Sequence, residues 1–232
     1  MKTNQNKVLG IMQLDTKFER IPGDIGNVAS YDFPAKVKIV SGASVQRVVL
    51  DGDPTLVEPF MAAAKELEAE GVFAITTSCG FLAPFQAEIA QAVNVPVFLS
   101  SLLQIPLAHA LVQRRIGILT ANGESLQERH LRGAGIPENI PLAVRGLQDQ
   151  PAFYDFIYNE AEKIKPLEIE QEMLAAAHAL ETEYPDIGAF VFECHNMAPY
   201  APAVAKATGK PVFDIISFAH WIYSNVEKRA YL

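Results

Sequence analysis

Two residues of this chain stand out for their chemistry: Cys79 and Cys194, the only cysteines among 232 residues. A thiolate accepts a proton and a thiol donates one, around a reference pKa of about 8.5 that a helix N-terminus can lower. Two such groups on opposite sides of one carbon meet the requirement for inverting a stereocentre. One removes a proton from one face, the other delivers a proton to the opposite face, and the roles reverse for the mirror-image substrate. The bland alternative is a pair of buried core residues. A disulfide is disfavoured for a chain read as cytoplasmic, where thiols stay reduced.

An internal repeat lifts the pair above the core reading. The cysteines lie 115 residues apart, and at that offset Ala83-Pro84 matches Ala198-Pro199 and Phe85 faces Tyr200. Ala90 and Ala92 match Ala205 and Ala207, and Pro96-Val97-Phe98 matches Pro211-Val212-Phe213. In both copies an apolar run ends at the cysteine, a proline-started helix follows, and a Pro-Val-Phe strand comes next. The halves read as diverged duplicates. Each cysteine then sits between the carboxyl end of a strand and a helix, the edge at which parallel α/β sheets bind ligands.

The elements that would position the cysteines follow from periodicity. Short apolar runs predict strands over Val8–Met12, Val37–Val40, Val72–Thr77, Pro96–Leu99, Arg115–Thr120, Pro141–Val144, Ile187–Phe192 and Pro211–Phe213, with Val45–Leu50 as a short extra one. Helices are expected over Pro54–Glu70, Pro84–Val93, Ile105–Gln113, Glu124–Gly133, Pro166–Glu183, Pro199–Thr208 and Phe218–Lys228. Alternating strands and helices predict an α/β fold with mainly parallel sheets, about four strands in each half.

Composition excludes some partners. A net charge of −8 argues against nucleic acid and against an anionic membrane surface. No apolar run approaches the roughly 20 residues of a membrane span. The polar start, Met1 to Lys7, does not read as a signal peptide. His109, His130, His178 and His220 fall in helix-like stretches without metal-ligand spacing, so no metal is expected. The turn-rich loop Arg20–Asn27 is a candidate lid or partner contact. Arg20 and Arg47 read as solvated, as does Glu193, whose alternative is a carboxylate behind the second cysteine.

The motifs Thr76-Thr77-Ser78-Cys79-Gly80, Gly117-Ile118-Leu119-Thr120 and Glu193-Cys194-His195-Asn196 resemble those of the aspartate/glutamate racemase superfamily. That group includes glutamate, aspartate, hydantoin and allantoin racemases, arylmalonate decarboxylase and maleate isomerase. The resemblance runs from Val8 to about Tyr223. It implies two pseudosymmetric α/β domains, residues 1–112 plus 215–232 and residues 113–214, with the active site between them. It implies Cys79 and Cys194 as the acid/base pair, without cofactor or metal. A small molecule bearing a carboxylate or carbonyl would be held by Gln13, Ser78, Gly80, Phe81, Thr120, His195 and Asn196. Backbone N–H groups after each cysteine would meet the enolate charge. A homodimer is the expected assembly.

Departures from the glutamate racemase pattern narrow the substrate. Gln13-Leu14 stands where those enzymes carry Asp-Ser, Gly80-Phe81 replaces Asn-Thr, and His195-Asn196 replaces Thr-His. Glutamate is disfavoured, and Phe81 points to a larger or less polar group such as a hydantoin ring. The expected activity is therefore an isomerase, a racemase or epimerase of an amino acid or amino-acid derivative. The alternatives are an arylmalonate-type decarboxylase, a maleate-type cis–trans isomerase, or a binding protein without catalysis.

Overall fold

Strand β1 (Leu9–Leu14) is buried at all six positions, as a strand covered by helices on both faces must be. In the computed structural model, which describes residues 7–228, β1 pairs in parallel with β2 (Ala35–Val40) on one side and β3 (Ala74–Thr77) on the other. β4 (Val97–Phe98) completes a sheet of order β2-β1-β3-β4. The second half repeats the plan with β5 (Arg115–Thr120), β6 (Leu142–Gly146), β7 (Ile187–Phe192) and β8 (Val212–Phe213), in the order β6-β5-β7-β8. The 115-residue repeat is thus expressed as two four-stranded parallel sheets of identical strand order.

The helices are α1 (Val57–Ala69), α2 (Gln86–Ala92), α3 (Ile105–Val112), α4 (Glu128–Gly133), α5 (Pro151–Tyr158), α6 (Pro166–Glu183), α7 (Ala201–Thr208) and α8 (Ile215–Val226). All eight predicted strands are present, with ends shifted by a few residues. The extra strand at Val45–Leu50 is not: Gln46–Leu50 is a wide helical turn. Its buried residues Val45, Val48 and Val49 recur at helical spacing, so alternation was the wrong period to read there. α4 begins four residues later than expected. Asn122 accepts the Glu124 and Ser125 N–H groups, which forms a turn before the helix can start. Helix α5 was not predicted, although Ala152, Phe153, Phe156 and Ile157 form its buried face.

Helix α8 opens on Asp214, which caps the Ile216 and Ser217 N–H groups. Its Ile215, Phe218 and Ala219 then pack with Leu9, Ile11, Phe73 and Phe98, so the chain returns to the first sheet. The largest apolar cluster joins Phe18 and Phe81 to Leu119, Phe156 and Met197 and so runs across both halves. The reading of Met1–Lys7 falls almost wholly outside the described residues, as do positions 229–232. Among the described residues no helix is long and apolar enough to cross a membrane, and no group of three or more His, Cys, Asp or Glu could hold a metal ion.

Candidate active site

Each half presents its cysteine in the same way. Cys79 follows β3 and caps the 3-10 turn Gly80–Phe85, while Cys194 follows β7 and caps the turn His195–Tyr200. Both are in extended backbone geometry. The Phe81 N–H points to Cys79 and the Asn196 N–H to Cys194, each two residues beyond its cysteine. Such donors favour a thiolate. Both thiols are buried, and burial pushes both well above the usual range.

The cysteines line one enclosed cavity, together with Leu14, Phe18, Val45, Val49, Ser78, Phe81, Ala121, Ile157 and Asn196. Its volume open to the centre of a water-sized sphere is ≈ 20 Å³, room for about one water molecule. The loop between β1 and β2 closes it. From that loop Phe18 and Arg20 reach the cavity wall, with the Arg20 guanidinium over the Phe18 ring at 4.7 Å. Arg20 pairs with Asp24 at 2.9 Å and donates to the Thr16 hydroxyl at 3.0 Å.

The surroundings of the two thiols differ in charge. The Arg20 guanidinium stabilises a thiolate at Cys79, whereas the Asp24 carboxylate opposes one at Cys194. Asn196 donates to Asp24 at 2.6 Å, which turns its carbonyl oxygen toward the Cys194 thiol, and that thiol donates to it at 3.8 Å. Cys194 is therefore held as a thiol, and Cys79 is the better placed to ionise.

Glu193 is the residue that sequence reasoning assigned to solvent, and it is fully buried. It lines the cavity. Its Oε2 accepts the Thr120 hydroxyl at 2.6 Å, while its Oε1 has no hydrogen-bond partner. Burial raises its pKa to about 8, against the opposing effect of the Thr120 hydroxyl and the Ala121 N–H. A signal was available, since Glu193 ends a run of apolar residues and occupies, at the 115-residue offset, the place of Ser78. Arg20 was likewise assigned to solvent, but its side chain is only 10% exposed.

Of the other predicted residues, Ser78, Phe81 and Asn196 reach the cavity, whereas Gln13, Gly80, Thr120 and His195 are not among its lining. Ser78 Oγ also accepts the Leu14 N–H at 2.9 Å, tying β1 to β3. Gly80 has no positive φ; a Cβ there would collide with the Glu193 backbone carbonyl, so its smallness serves the contact between the halves. His195 donates from Nδ1 to the Thr77 carbonyl at 2.8 Å and accepts the Ser101 N–H on Nε2 at 3.3 Å. Both ring nitrogens are occupied across the seam. Burial keeps His195 neutral, with a pKa lowered to about 4.

No family model matches the chain. It is 31% identical over 220 residues to a dimethylsulfoniopropionate lyase of Durusdinium sp. clade D, covering 90% of this chain and 71% of that protein. It is 34% identical over 221 residues to dimethylsulfoniopropionate lyase 7 of Emiliania huxleyi (strain CCMP1516), covering 90% of this chain and 64% of that one. Among solved structures it resembles arylmalonate decarboxylase, with a TM-score of 0.63 and 14% identity over 96% of this chain and 94% of that one. It also resembles Picrophilus torridus aspartate racemase, with a TM-score of 0.57 and 13% identity over 96% and 95%. The superfamily fold read from the motifs is therefore present. The racemase activity, and the isomerase class with it, is overturned: the relatives that are 31–34% identical over the aligned residues are named lyases.

Proposed function

Because the chain belongs to the dimethylsulfoniopropionate lyase family, we propose that it cleaves dimethylsulfoniopropionate, or a close sulfonium analogue, by β-elimination, with Cys79 as the base. The Cys79 thiolate takes the proton on the carbon next to the carboxylate. The freed electron pair becomes the double bond of acrylate. The bond from the β-carbon to sulfur breaks, and its electrons leave with neutral dimethyl sulfide. The proton on Cys79 then passes to solvent and restores the thiolate. No leaving group needs protonation, so one base suffices.

The unequal charge around the two thiols carries this reading. A racemase needs its two groups interchangeable, whereas an elimination needs one thiolate, and Arg20 stands at Cys79 while Asp24 and Asn196 hold Cys194 as a thiol. The apolar wall also suits the reaction. A sulfonium cation and a thiolate neutralise one another as the bonds change, and poor solvation of charge by Leu14, Val45, Val49 and Ile157 favours that loss of charge. The Phe81 ring offers the sulfonium an aromatic surface. Cys194 is placed to donate to the substrate carboxylate.

The test is release of dimethyl sulfide, measured by headspace gas chromatography with acrylate measured in parallel. Wild type should release both in equal amounts. Cys79→Ser should lose about 10³-fold in kcat or more, and Cys194→Ser should retain more activity than Cys79→Ser. Absence of dimethyl sulfide from wild type, or an active Cys79→Ser, refutes the proposal.

A further inference from the structure

We propose that Glu193 is a third catalytic residue, a carboxylic acid that stays protonated and donates a hydrogen bond from Oε1 to the substrate carboxylate as that group takes up enolate charge. The proposal rests on the elimination described above and adds the group that stabilises its transition state.

The geometry is that of a donor awaiting an acceptor. Glu193 is fully buried and lines the cavity between the two thiols. Thr120 donates its hydroxyl to Oε2, so Oε2 is an acceptor and the acid proton belongs on Oε1. Oε1 has no partner in the protein, although nearly every buried polar atom finds one. An ionised carboxylate would be untenable here without a cation, and the nearby cation, Arg20, is already engaged by Asp24 and Thr16. An acid held neutral by an apolar site is suited to meet an oxyanion.

Charge at the cysteines points the same way. An anionic Glu193 opposes a thiolate at both Cys79 and Cys194, so a Cys79 thiolate requires a neutral Glu193, and the sulfonium cation of the bound substrate is the charge that favours the thiolate over the carboxylate. The proton does not transfer; the hydrogen bond shortens as negative charge moves onto the substrate oxygens. The titratable groups facing Glu193 are Cys79, Cys194 and Tyr158 of α5, with Arg20 and Asp24 facing the thiols from the loop. With its pKa raised to about 8, the donor is lost as pH rises through that value.

Two variants and one spectroscopic measurement test this. Glu193→Gln keeps a neutral donor and the Thr120 contact; Glu193→Leu keeps neither. With dimethylsulfoniopropionate, Glu193→Gln should stay within about tenfold of wild type in kcat and lose the fall in rate above pH 8, while folded Glu193→Leu should drop about 100-fold or more. Equal loss in both variants, or no loss in the leucine variant, overturns the proposal. Infrared difference spectra with isocaproate, which carries CH in place of the sulfonium sulfur, provide a readout independent of turnover. A protonated-acid carbonyl band should be present at neutral pH, absent in Glu193→Gln, and lowered in frequency by isocaproate. A missing or unmoved band overturns the role of Glu193. A wild type that releases no dimethyl sulfide overturns the elimination instead, and the infrared result still decides Glu193.

Discussion

Asp24 accepts the Asn196 amide at 2.6 Å and thereby fastens the loop over the cavity to the residue two places beyond Cys194. The same carboxylate pairs with Arg20, so one group sets the charge around both thiols. The closed cavity has room for about one water molecule, so on the proposed activity this latch must open to admit the substrate. Asp24→Ala should lower kcat/KM by about 10–100-fold, because a misplaced loop loses orientation at the chemistry. Limited proteolysis should cut the loop faster in this variant. A full-speed enzyme with an unchanged cleavage pattern would show that the latch is incidental.

Arg20 contributes to the acid side of the expected pH profile. Its positive charge favours the Cys79 thiolate, and removing it raises the thiol pKa further. Arg20→Gln should therefore shift the rising limb of kcat/KM against pH to higher pH, with a lower rate at neutral pH. Thiolate absorbance, titrated in Arg20→Gln and in its double variant with Cys194→Ser, assigns the shift to Cys79.

Much of this site was legible in the residues themselves. The repeat around Cys79 and Cys194 located both strand-to-helix junctions, and eight strands followed from short apolar runs bounded by Pro and Gly. Two kinds of information were hidden. Burial of a polar side chain depends on what packs across the seam, so Glu193 and Arg20 both read as solvated, and Asp24 carried no reading of its own. The thiols also read as equivalent, because the asymmetry comes from a loop outside the repeat. Phe18, which reaches the cavity from that same loop, carried no motif at all.

His195 bears on stability, with both ring nitrogens engaged across the seam. Its folded pKa is lowered to about 4 from a reference of 6.5. The unfolded chain therefore binds the proton more readily, and the stability from neutral His195 is present above about pH 6.5 and is lost as pH falls toward 4. The full effect is about 3 kcal/mol. His195→Gln should flatten that part of the stability–pH curve, measured by urea unfolding at a series of pH values. Glu193 gives the opposite slope: its pKa is raised from 4.5 to about 8, so its contribution weakens as pH rises through that range, and Glu193→Gln removes the weakening.

Gly80→Ala tests whether the two strand ends must touch. The added methyl would meet the Glu193 backbone carbonyl, which cannot rotate away as a flexible side chain would. Overpacking of this kind costs about 1–3 kcal/mol, and relief requires the Cys79 and Cys194 junctions to separate. Gly135→Ala is the control, since Gly135 has a positive φ of 68° but nothing within 4 Å of an added Cβ, so it carries backbone strain of about 1 kcal/mol without steric conflict. Both variants should lower the urea midpoint. Only Gly80→Ala should also lower kcat at a temperature where both variants remain folded, because only there does relief of the clash move Glu193 and the thiols. Equal kcat in the two variants would mean that the contact serves stability alone.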